Sequence, residues 1–344
     1  MSHGNKVSLD WLSEQYKGKD VDLNQAITHQ TISDVPYSAI IVSPEKNSGN
    51  IEKIYEEKEF WLEKLALNGA ILFRGFNMDS VAAVERFANH FMASVFKENT
   101  EHTPLENSDF VQQPVGYSND SFLLWHNENT FNLRWPAKAV FACKIPAQSG
   151  GETPIVDSRI VYQNIDPAIR EEFERKGVRY VRRYGAEDGI GLGWKTIFKT
   201  SDKNEIERIC EQDKLIFHWF PNGDLVTFAD RPAVYTVEET GEKCWINQAQ
   251  HWHFSCLSES TQAAIKKIYS SQDEYPRNCF FGDGTEIPNS YIDHVLDVYK
   301  QHQQVFPWQK GDIMLVDNKL KAHARNAYKG ERKIMVCFGE MESF

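Results

Sequence analysis

The residues best suited to metal chemistry in this chain lie in the segment 125–129 (WHNEN). An imidazole, His126, and a carboxylate, Glu128, stand two residues apart there. On a β-strand, residues i and i+2 point to the same face, so both side chains can reach one metal ion. With a second histidine from another strand, they would form the 2-His-1-carboxylate set that binds non-haem iron.

His323 is the candidate for that second histidine. It follows a Gly-Asp turn at 311–312, an apolar stretch and an Asp-Asn turn at 317–318. This context predicts a position just past a strand end, where loops often carry function. A surface histidine hydrogen-bonded to Asp317 is the alternative.

The segment 251–253 (HWH) contains a second pair with the same spacing. Its nearby carboxylate is Glu259, and the tryptophan between the histidines indicates a packed segment. The sequence therefore favours a place for His251 or His253 in a substrate pocket, while a metal site at this pair stays an alternative.

Short apolar stretches separated by Gly, Pro and Asn must position these residues. They predict strands at 70–76, 122–125, 139–145, 215–220, 224–228, 243–247, 278–281, 312–316 and 333–338. Amphipathic spacing predicts helices at 51–68, 79–95, 166–176 and 203–213, of which the third has Asp166 as its N-cap. This pattern is typical of a β-sandwich or barrel-like core with helices outside. Because no linker is visible, residues 1–344 are interpreted as one domain with an N-terminal arm over residues 1–50.

Composition excludes several classes of protein. The net charge is -11, and the Arg182-Arg183 pair is too short to form a basic patch, so nucleic-acid binding is not expected. No apolar stretch approaches the roughly 20 residues that span a bilayer, and the N-terminus lacks a signal-peptide core. A cytoplasmic location with six free cysteines is expected. Neither a Gly-x-Ser-x-Gly elbow nor a phosphate-binding glycine loop is present, which argues against a nucleophilic hydrolase or a nucleotide-binding fold.

Several segments occur together in a characteristic order: 69–76 (GAILFRGF), 126–128 (HNE), 150–159 (GGETPIVDSR), 308–325 and 330–334 (GERKI). Together they resemble the TauD/TfdA family of Fe(II)- and 2-oxoglutarate-dependent dioxygenases, over residues 69–338. The resemblance implies an α+β fold with a double-stranded β-helix (jelly-roll) core, flanking helices and helical insertions. The glutamate at 128, with 245–248 (WINQ) and 281–284 (FGDG), is most similar to SyrP-like members, which act on amino acids or amino-acid-derived metabolites.

The resemblance also implies roles for individual residues. His126, Glu128 and His323 would hold Fe(II), and Thr153 and Arg332 would bind 2-oxoglutarate, since a guanidinium binds a carboxylate bidentately. Lys333 is the rival to Arg332, because the local alignment is uncertain by about one residue.

Glu128 departs from the aspartate that many family members carry at this position. Glutamate is one methylene longer and still ligates iron. Related halogenases have a small residue here, which leaves a site for chloride. Glu128 therefore argues against halogenation.

The implied reaction uses O2 and oxidative decarboxylation of 2-oxoglutarate to oxidise, most simply to hydroxylate, an unactivated C–H bond. The expected substrate is an amino acid or a small molecule derived from one, free or bound to a carrier protein, in secondary metabolism. Desaturation or cyclisation at the same iron site, and a non-catalytic binding or regulatory protein on this scaffold, are the alternatives. The oligomeric state stays open. The candidate substrate-binding residues are Trp125, Asn127, Asn129, Phe131, Arg325 and His251.

Overall fold

The computed structural model describes residues 27–45, 49–97, 103–114, 116–189 and 193–344. In chain order, the strands of this part are β1 (Ile27–Thr31), β2 (Ile40–Pro44), β3 (Ala70–Phe73), β4 (Thr103–Pro104), β5 (Gln112–Gln113), β6 (Leu123–His126), β7 (Arg134–Ile145), β8 (Ser149–Gly150), β9 (Ile155–Asp157), β10 (Val178–Tyr184), β11 (Ile216–Trp219), β12 (Leu225–Arg231), β13 (Val234–Thr236), β14 (Lys243–Trp245), β15 (Arg277–Phe281), β16 (Ile313–Asp317), β17 (Lys321–Arg325), β18 (Tyr328–Lys329) and β19 (Lys333–Ser343).

The helices of the same part are α1 (Glu52–Glu56), α2 (Lys58–Asn68), α3 (Val81–Phe91), α4 (Ser158–Asn164), α5 (Pro167–Lys176), α6 (Trp194–Phe198), α7 (Lys203–Gln212), α8 (Ala249–Trp252), α9 (Glu259–Ile268) and α10 (Asn289–His302). Each of these described helices is too short or too polar to span a bilayer.

The largest sheet has eight strands in the order β1-β2-β3-β16-β7-β19-β5-β4. Its central strands are apolar on both faces. One face packs against α3 through Phe73, Phe87 and Phe91. The other face carries Phe141, whose ring lies 4.9 Å from that of His323 on β17. The large sheet therefore packs against a smaller sheet, which contains β17.

That smaller sheet has the order β6-β17-β9 and contains the candidate metal ligands. His323 pairs with His126 on one side and with Ile155 on the other. A buried ion pair between Lys321 and Asp157, with Nζ and Oδ2 2.9 Å apart, closes the end of the β17–β9 pairing. A one-residue slip would turn His323 to the opposite face, so this register sets the position of the histidine.

A third sheet, β11-β12-β10-β15, lies beyond α8. One face of its strands β10 and β15, with Tyr180 and Cys279, packs against Trp252 and α10 in the core that also contains Trp125. The third sheet therefore shares a core with the strand that carries His126.

The predicted helices and strands named here have the correct type in the structure, but several begin or end at other residues. The helix predicted over 51–68 is two helices that meet at Glu57, and the one predicted over 79–95 ends at Phe91. The Asp166 cap is confirmed, because its carboxylate accepts a hydrogen bond from the Ala168 amide. Of the predicted N-terminal arm, residues 1–26 and 46–48 lie outside the described residues, and 27–45 form β1 and β2 at the edge of the large sheet. The single-domain organisation stays a prediction.

Candidate metal centre and co-substrate site

Three predicted ligands converge at one end of the small sheet. The Nε2 atoms of His126 and His323 lie 3.7 Å and 3.5 Å from Glu128 Oε2. One ligand atom from each residue lies within 4.8 Å of the other two. Ligand atoms about 2 Å from a shared ion adopt separations of this size. Two imidazoles and one carboxylate also match the donor set of non-haem iron, so the residues fit the metal.

The conformation of the His-x-Glu segment differs from the predicted strand. β6 ends at His126, and Glu128 lies in the turn that follows. The segment continues into Asn129, whose φ of 57° is in the left-handed region. Glu128 therefore reaches the two histidines from a turn rather than from the next strand position.

His126 is held in one orientation by its other ring nitrogen. Nδ1 lies 2.8 Å from the Leu124 carbonyl oxygen, which can only accept a hydrogen bond. The proton is therefore on Nδ1, and Nε2 presents a lone pair towards Glu128. Metal-binding histidines are commonly oriented in this way by a backbone carbonyl.

Asn318 fixes the turn that carries Glu128. Its side-chain oxygen accepts a hydrogen bond from the Glu128 amide at 2.6 Å, and its Nδ2 donates to the carbonyls of Glu128 and Pro136 at 3.0 Å and 2.7 Å. Asn127 donates to the Asn318 carbonyl at 2.7 Å. From the sequence, Asn318 is predicted only to be a turn residue. The Asp-Asn turn before His323 was the available signal for its role.

The segment 150–153 forms a tight connection beside Arg332. Gly150 and Gly151 have φ of 69° and 73°. A Cβ on Gly150 would lie 2.2 Å from the Ala327 oxygen, and one on Gly151 would lie 3.0 Å from Arg332 Cδ. Both glycines therefore suit the backbone conformation, and in addition Gly150 allows the close approach of Ala327 and Gly151 that of Arg332.

Thr153 and Arg332 lie side by side. Arg332 donates from Nε to the Gly151 oxygen at 2.9 Å, and its Nη2 lies 3.5 Å from Thr153 Oγ1. The rival residue, Lys333, is exposed and pairs with Glu331. The geometry thus brings Arg332, and not Lys333, next to Thr153.

The Arg332 guanidinium is strongly desolvated. Burial lowers its pKa to about 10, and the charge of Arg325 is the second cause. No carboxylate among the described residues forms an ion pair with Arg332. A desolvated cation without an acidic partner is suited to bind an anionic ligand.

A cavity of about 770 Å³ adjoins this cation. Arg332, Arg325, Lys144 and Leu123 are among its lining residues, whereas the three metal ligands are not. The cavity therefore gives access to Arg332 and not to the ligands directly.

The six predicted substrate-binding residues take different positions. Trp125 stacks on Tyr299 at 5.6 Å in the core, and Asn127 is fully buried in hydrogen bonds to Ser158 and Asn318. Asn129 is buried in the turn after Glu128. All three residues are buried, and their substrate-binding role stays a prediction.

The other three, Phe131, Arg325 and His251, are partly buried. The ring of Phe131 lies 5.0 Å from that of Trp252. Arg325 donates to the carbonyls of Tyr117, Ser118 and Ser121, so it fastens the segment before β6. The His251 ring lies 4.7 Å from that of His126, which makes His251 the predicted pocket residue in direct contact with a candidate ligand.

Comparison with known proteins defines the class to which this site belongs. The model of the "Taurine catabolism dioxygenase TauD, TfdA family" matches residues 43–338. The chain therefore belongs to the TauD/TfdA family and is an Fe(II)- and 2-oxoglutarate-dependent dioxygenase, which uses Fe(II), 2-oxoglutarate and O2.

Two relatives and one solved structure show how far the similarity extends. The chain is 30% identical to the dapdiamide synthesis protein DdaC of Enterobacter agglomerans, over 80% of this chain and 83% of that protein. It is 28% identical to a clavaminate synthase-like protein of Arabidopsis thaliana, over 83% and 85% of the two chains. The crystal structure of a taurine dioxygenase from Burkholderia xenovorans superposes with a TM-score of 0.54 at 13% identity, covering 91% of this chain and 89% of that one. The last comparison shows the shared double-stranded β-helix fold.

Proposed function

We propose that His126, Glu128 and His323 hold Fe(II), and that the enzyme hydroxylates an unactivated C–H bond of an amino acid or of a small molecule derived from one. The observation that carries the proposal is the convergence of two imidazole nitrogens on one carboxylate oxygen at 3.5–3.7 Å. When bound, the iron supplies the activation of O2 that no amino-acid side chain provides.

Thr153 and Arg332 are proposed to bind the far carboxylate of 2-oxoglutarate. Arg332 offers a charge-assisted, bidentate donor, and Thr153 offers a hydroxyl 3.5 Å away. Trp308 Nε1 donates to Thr153 Oγ1 at 2.9 Å, which orients the hydroxyl proton away from the indole and leaves it available to an anion. The burial of this pair excludes water from the charged contact and strengthens it.

The protein's own contribution is orientation. Leu124 fixes the His126 ring, Asn318 fixes the Glu128 backbone, and the β17–β9 register fixes His323 relative to Thr153. These supports hold the ligands before any metal arrives, so little reorganisation is needed on binding.

The substrate assignment draws on the relatives. One of them is named for dapdiamide synthesis and the other for likeness to clavaminate synthase, which supports a small-molecule substrate in a biosynthetic pathway. Desaturation or cyclisation would use the same iron site with a different placement of the substrate, and a carrier-bound substrate is the second form to test.

The test is succinate release from 2-oxoglutarate in air, with Fe(II) and a panel of free and carrier-bound amino acids. We expect one panel member to stimulate succinate formation and to gain the mass of one oxygen atom. A product two hydrogens lighter would instead indicate desaturation or cyclisation. A non-catalytic protein would release no succinate with any member, and that result would overturn the proposal.

A further inference from the structure

The cavity beside Arg332 is cationic, although the protein as a whole has a net charge of -11. The charged residues that line the cavity are four cations and two carboxylates: Lys144, Arg325, Arg332, Lys333, Glu85 and Glu106. The cations stay in excess when Glu331, which pairs with Lys333, is counted as well. A concave surface of one sign concentrates ions of the opposite sign and raises their rate of association. The ligand that this cavity favours is therefore an anion.

The cations become more desolvated from Lys144 through Arg325 to Arg332. Lys144 is exposed, and Arg325 is partly buried. Arg325 and Arg332 share one tyrosine, since their Cζ atoms lie 5.2 Å and 5.6 Å from the Tyr328 ring centroid. Burial, and then the charge of Arg325, lowers the pKa of Arg332 to about 10, so the two guanidinium groups are electrostatically close. An anion that moves from Lys144 to Arg332 is therefore attracted by cations along the whole way.

Residues 117–121, the strap, form part of the cavity wall through Tyr117 and Asn119. Arg325 donates from Nη1 and Nη2 to three carbonyl oxygens of the strap, at 3.1, 2.5 and 2.9 Å. Its Cζ also lies 5.6 Å from the Tyr117 ring centroid. The Tyr328 amide donates to the Asn119 oxygen at 2.9 Å. One side chain and one amide thus hold the strap against the end of β17.

The strap is weakly packed compared with the strand that holds it. The side chains of residues 117–120 are exposed, and that of Ser121 is partly buried. A segment with few buried contacts opens at a low cost in free energy. Arg325, in contrast, belongs to β17, two residues after the buried His323. Loss of the Arg325 contacts would therefore release the strap and leave the strand in place.

Neutral partners leave the charge of Arg325 uncompensated. Its acceptors are backbone carbonyls, and its Nε is buried without a hydrogen-bond partner among the described residues. Arg74, in contrast, donates to both carboxylate oxygens of Asp312, at 3.0 Å and 2.7 Å. A carboxylate is the stronger acceptor for a guanidinium. Arg325 therefore combines a grip on the strap with a positive charge that stays available to the cavity.

We propose that this cavity is the path by which the dianion 2-oxoglutarate reaches Arg332, and that Arg325 is a positioning residue that attracts the dianion and holds the strap as the wall of the path. This inference rests on the proposed function, because it takes Arg332 as the residue that binds the far carboxylate. Attraction by Lys144 and Arg325 speeds entry, and the held strap slows release of the bound dianion. The three metal ligands do not line the cavity, so the primary substrate is expected to approach from another side.

The first experiment measures the association rate constant of 2-oxoglutarate with the Fe(II)-loaded enzyme, without oxygen, by stopped-flow absorption. Lys144→Gln should lower this constant about 2- to 5-fold at low ionic strength, because one attracting charge is lost. The difference should vanish at about 0.5 M salt, where charges are screened over a few ångströms. Lys300→Gln removes an exposed lysine of α10 outside the cavity lining and is the matched control. It should change the constant less than about 1.5-fold.

The second experiment separates the two roles of Arg325. Arg325→Gln should lower the association rate constant about 2- to 5-fold and raise the dissociation rate constant about 10-fold, because both the charge and the strap contacts are lost. Arg325→Lys keeps the charge and should restore association but not dissociation. Arg183→Gln is the control, since partly buried Arg183 donates from Nε and Nη2 to the Asp273 carbonyl on the third sheet. It should leave both constants within about twofold.

The possible results distinguish this inference from the proposed function. Association rate constants equal to the wild type in both Lys144→Gln and Arg325→Gln would overturn the path. A dissociation rate constant unchanged in Arg325→Gln would overturn the role of the strap. An Arg325→Gln enzyme with a raised KM for the primary substrate alone would identify a substrate-binding residue and contradict the inference. A wild-type enzyme that forms no complex with Fe(II) and 2-oxoglutarate would instead overturn the proposed function.

Discussion

The segments 126–128 and 251–253 each place two candidate metal ligands two residues apart, but only the first pair of side chains converges. His126 and Glu128 lie at the end of a strand and in the turn after it, and their ligand atoms approach to 3.7 Å. His251 lies in the short helix α8 and His253 caps its C-terminus. His251 faces the Leu124 oxygen, whereas His253 contacts Ser255 and the Ile287 oxygen. The same i, i+2 pattern therefore gives one convergent pair and one divergent pair.

The reason is the direction of successive side chains. An α-helix turns by about 100° per residue, so residues two apart point to nearly opposite sides, whereas the turn after β6 directs Glu128 back towards His126. The spacing of two ligands in a sequence therefore predicts a shared metal site only when the secondary structure that carries them is known. The third candidate ligand, His323, pairs across the sheet with His126 and not with the second segment. The metal site is therefore expected at the first segment.

The largest expected effect comes from removing a ligand from the convergent pair. His126→Ala should weaken Mn(II) binding, measured by electron paramagnetic resonance, by more than about 100-fold, since loss of an outer-shell partner alone costs about 10- to 100-fold. His253→Ala should change the affinity less than about threefold, because its ring contacts Ser255 and Ile287 instead. Equal losses in the two variants would contradict the distinction between the segments.

Arg332→Gln should raise KM for 2-oxoglutarate about 10- to 100-fold, because a buried, charge-assisted contact to the far carboxylate is lost. Lys333→Gln changes an exposed neighbour and should alter KM less than about threefold. Initial rates of succinate formation at saturating substrate give both values. If Lys333→Gln alone raised KM for 2-oxoglutarate, Lys333 and not Arg332 would be the residue that binds its carboxylate.

Asn318→Ala removes the support of the Glu128 turn. We expect Mn(II) affinity to fall about 10-fold or more, and the free energy of unfolding to fall by about 2–4 kcal/mol, because buried groups on Glu128 and Pro136 lose their partners. Asn326→Ala, which removes a part-buried contact to Glu152, is the control and should cost less than about 1 kcal/mol. Urea unfolding and metal titration measure the two quantities. Unchanged metal affinity in Asn318→Ala would show that Glu128 holds its position without this support.

The smallest effect concerns His253 of the divergent pair and the pH dependence of the free energy of unfolding. Burial lowers the pKa of His253 in the folded protein, so below the ordinary value of 6.5 the unfolded state binds the extra proton. The free energy of unfolding should therefore fall as pH drops below 6.5, by at most about 1.4 kcal/mol per pH unit from this group. His253→Gln should flatten that slope in urea unfolding at pH 5.5 and 7.5, relative to His218→Gln at an exposed position. An unchanged slope would show that His253 is charged in the folded state.

The sequence predicted the parts that depend on local pattern. The Asp166 cap, the helix end at Asn68 and the strands that lead to His126 and His323 follow from spacing and turn residues. The break at Glu57 was missed, because the apolar positions around it fit a single helix equally well.

What could not be predicted depends on register and on contacts distant in sequence. Asn318 supports Glu128 from 190 positions away, and Arg182 meets Arg277 only through the pairing of β10 with β15. Strand β10 and helix α10 were not predicted from the sequence either. The contacts of Trp125 with Tyr299 and of Asn127 with Ser158 could not be predicted for the same reason, since the face that each side chain takes is set by tertiary packing.

The most direct test of the site is anaerobic addition of Fe(II) and 2-oxoglutarate, followed by visible absorption spectroscopy. The wild type should develop a weak metal-to-ligand charge-transfer band that needs both additions. The band should be absent in His126→Ala and unchanged in His253→Ala. A band that survives in His126→Ala, or disappears in His253→Ala, would contradict the assignment of the metal to the convergent pair.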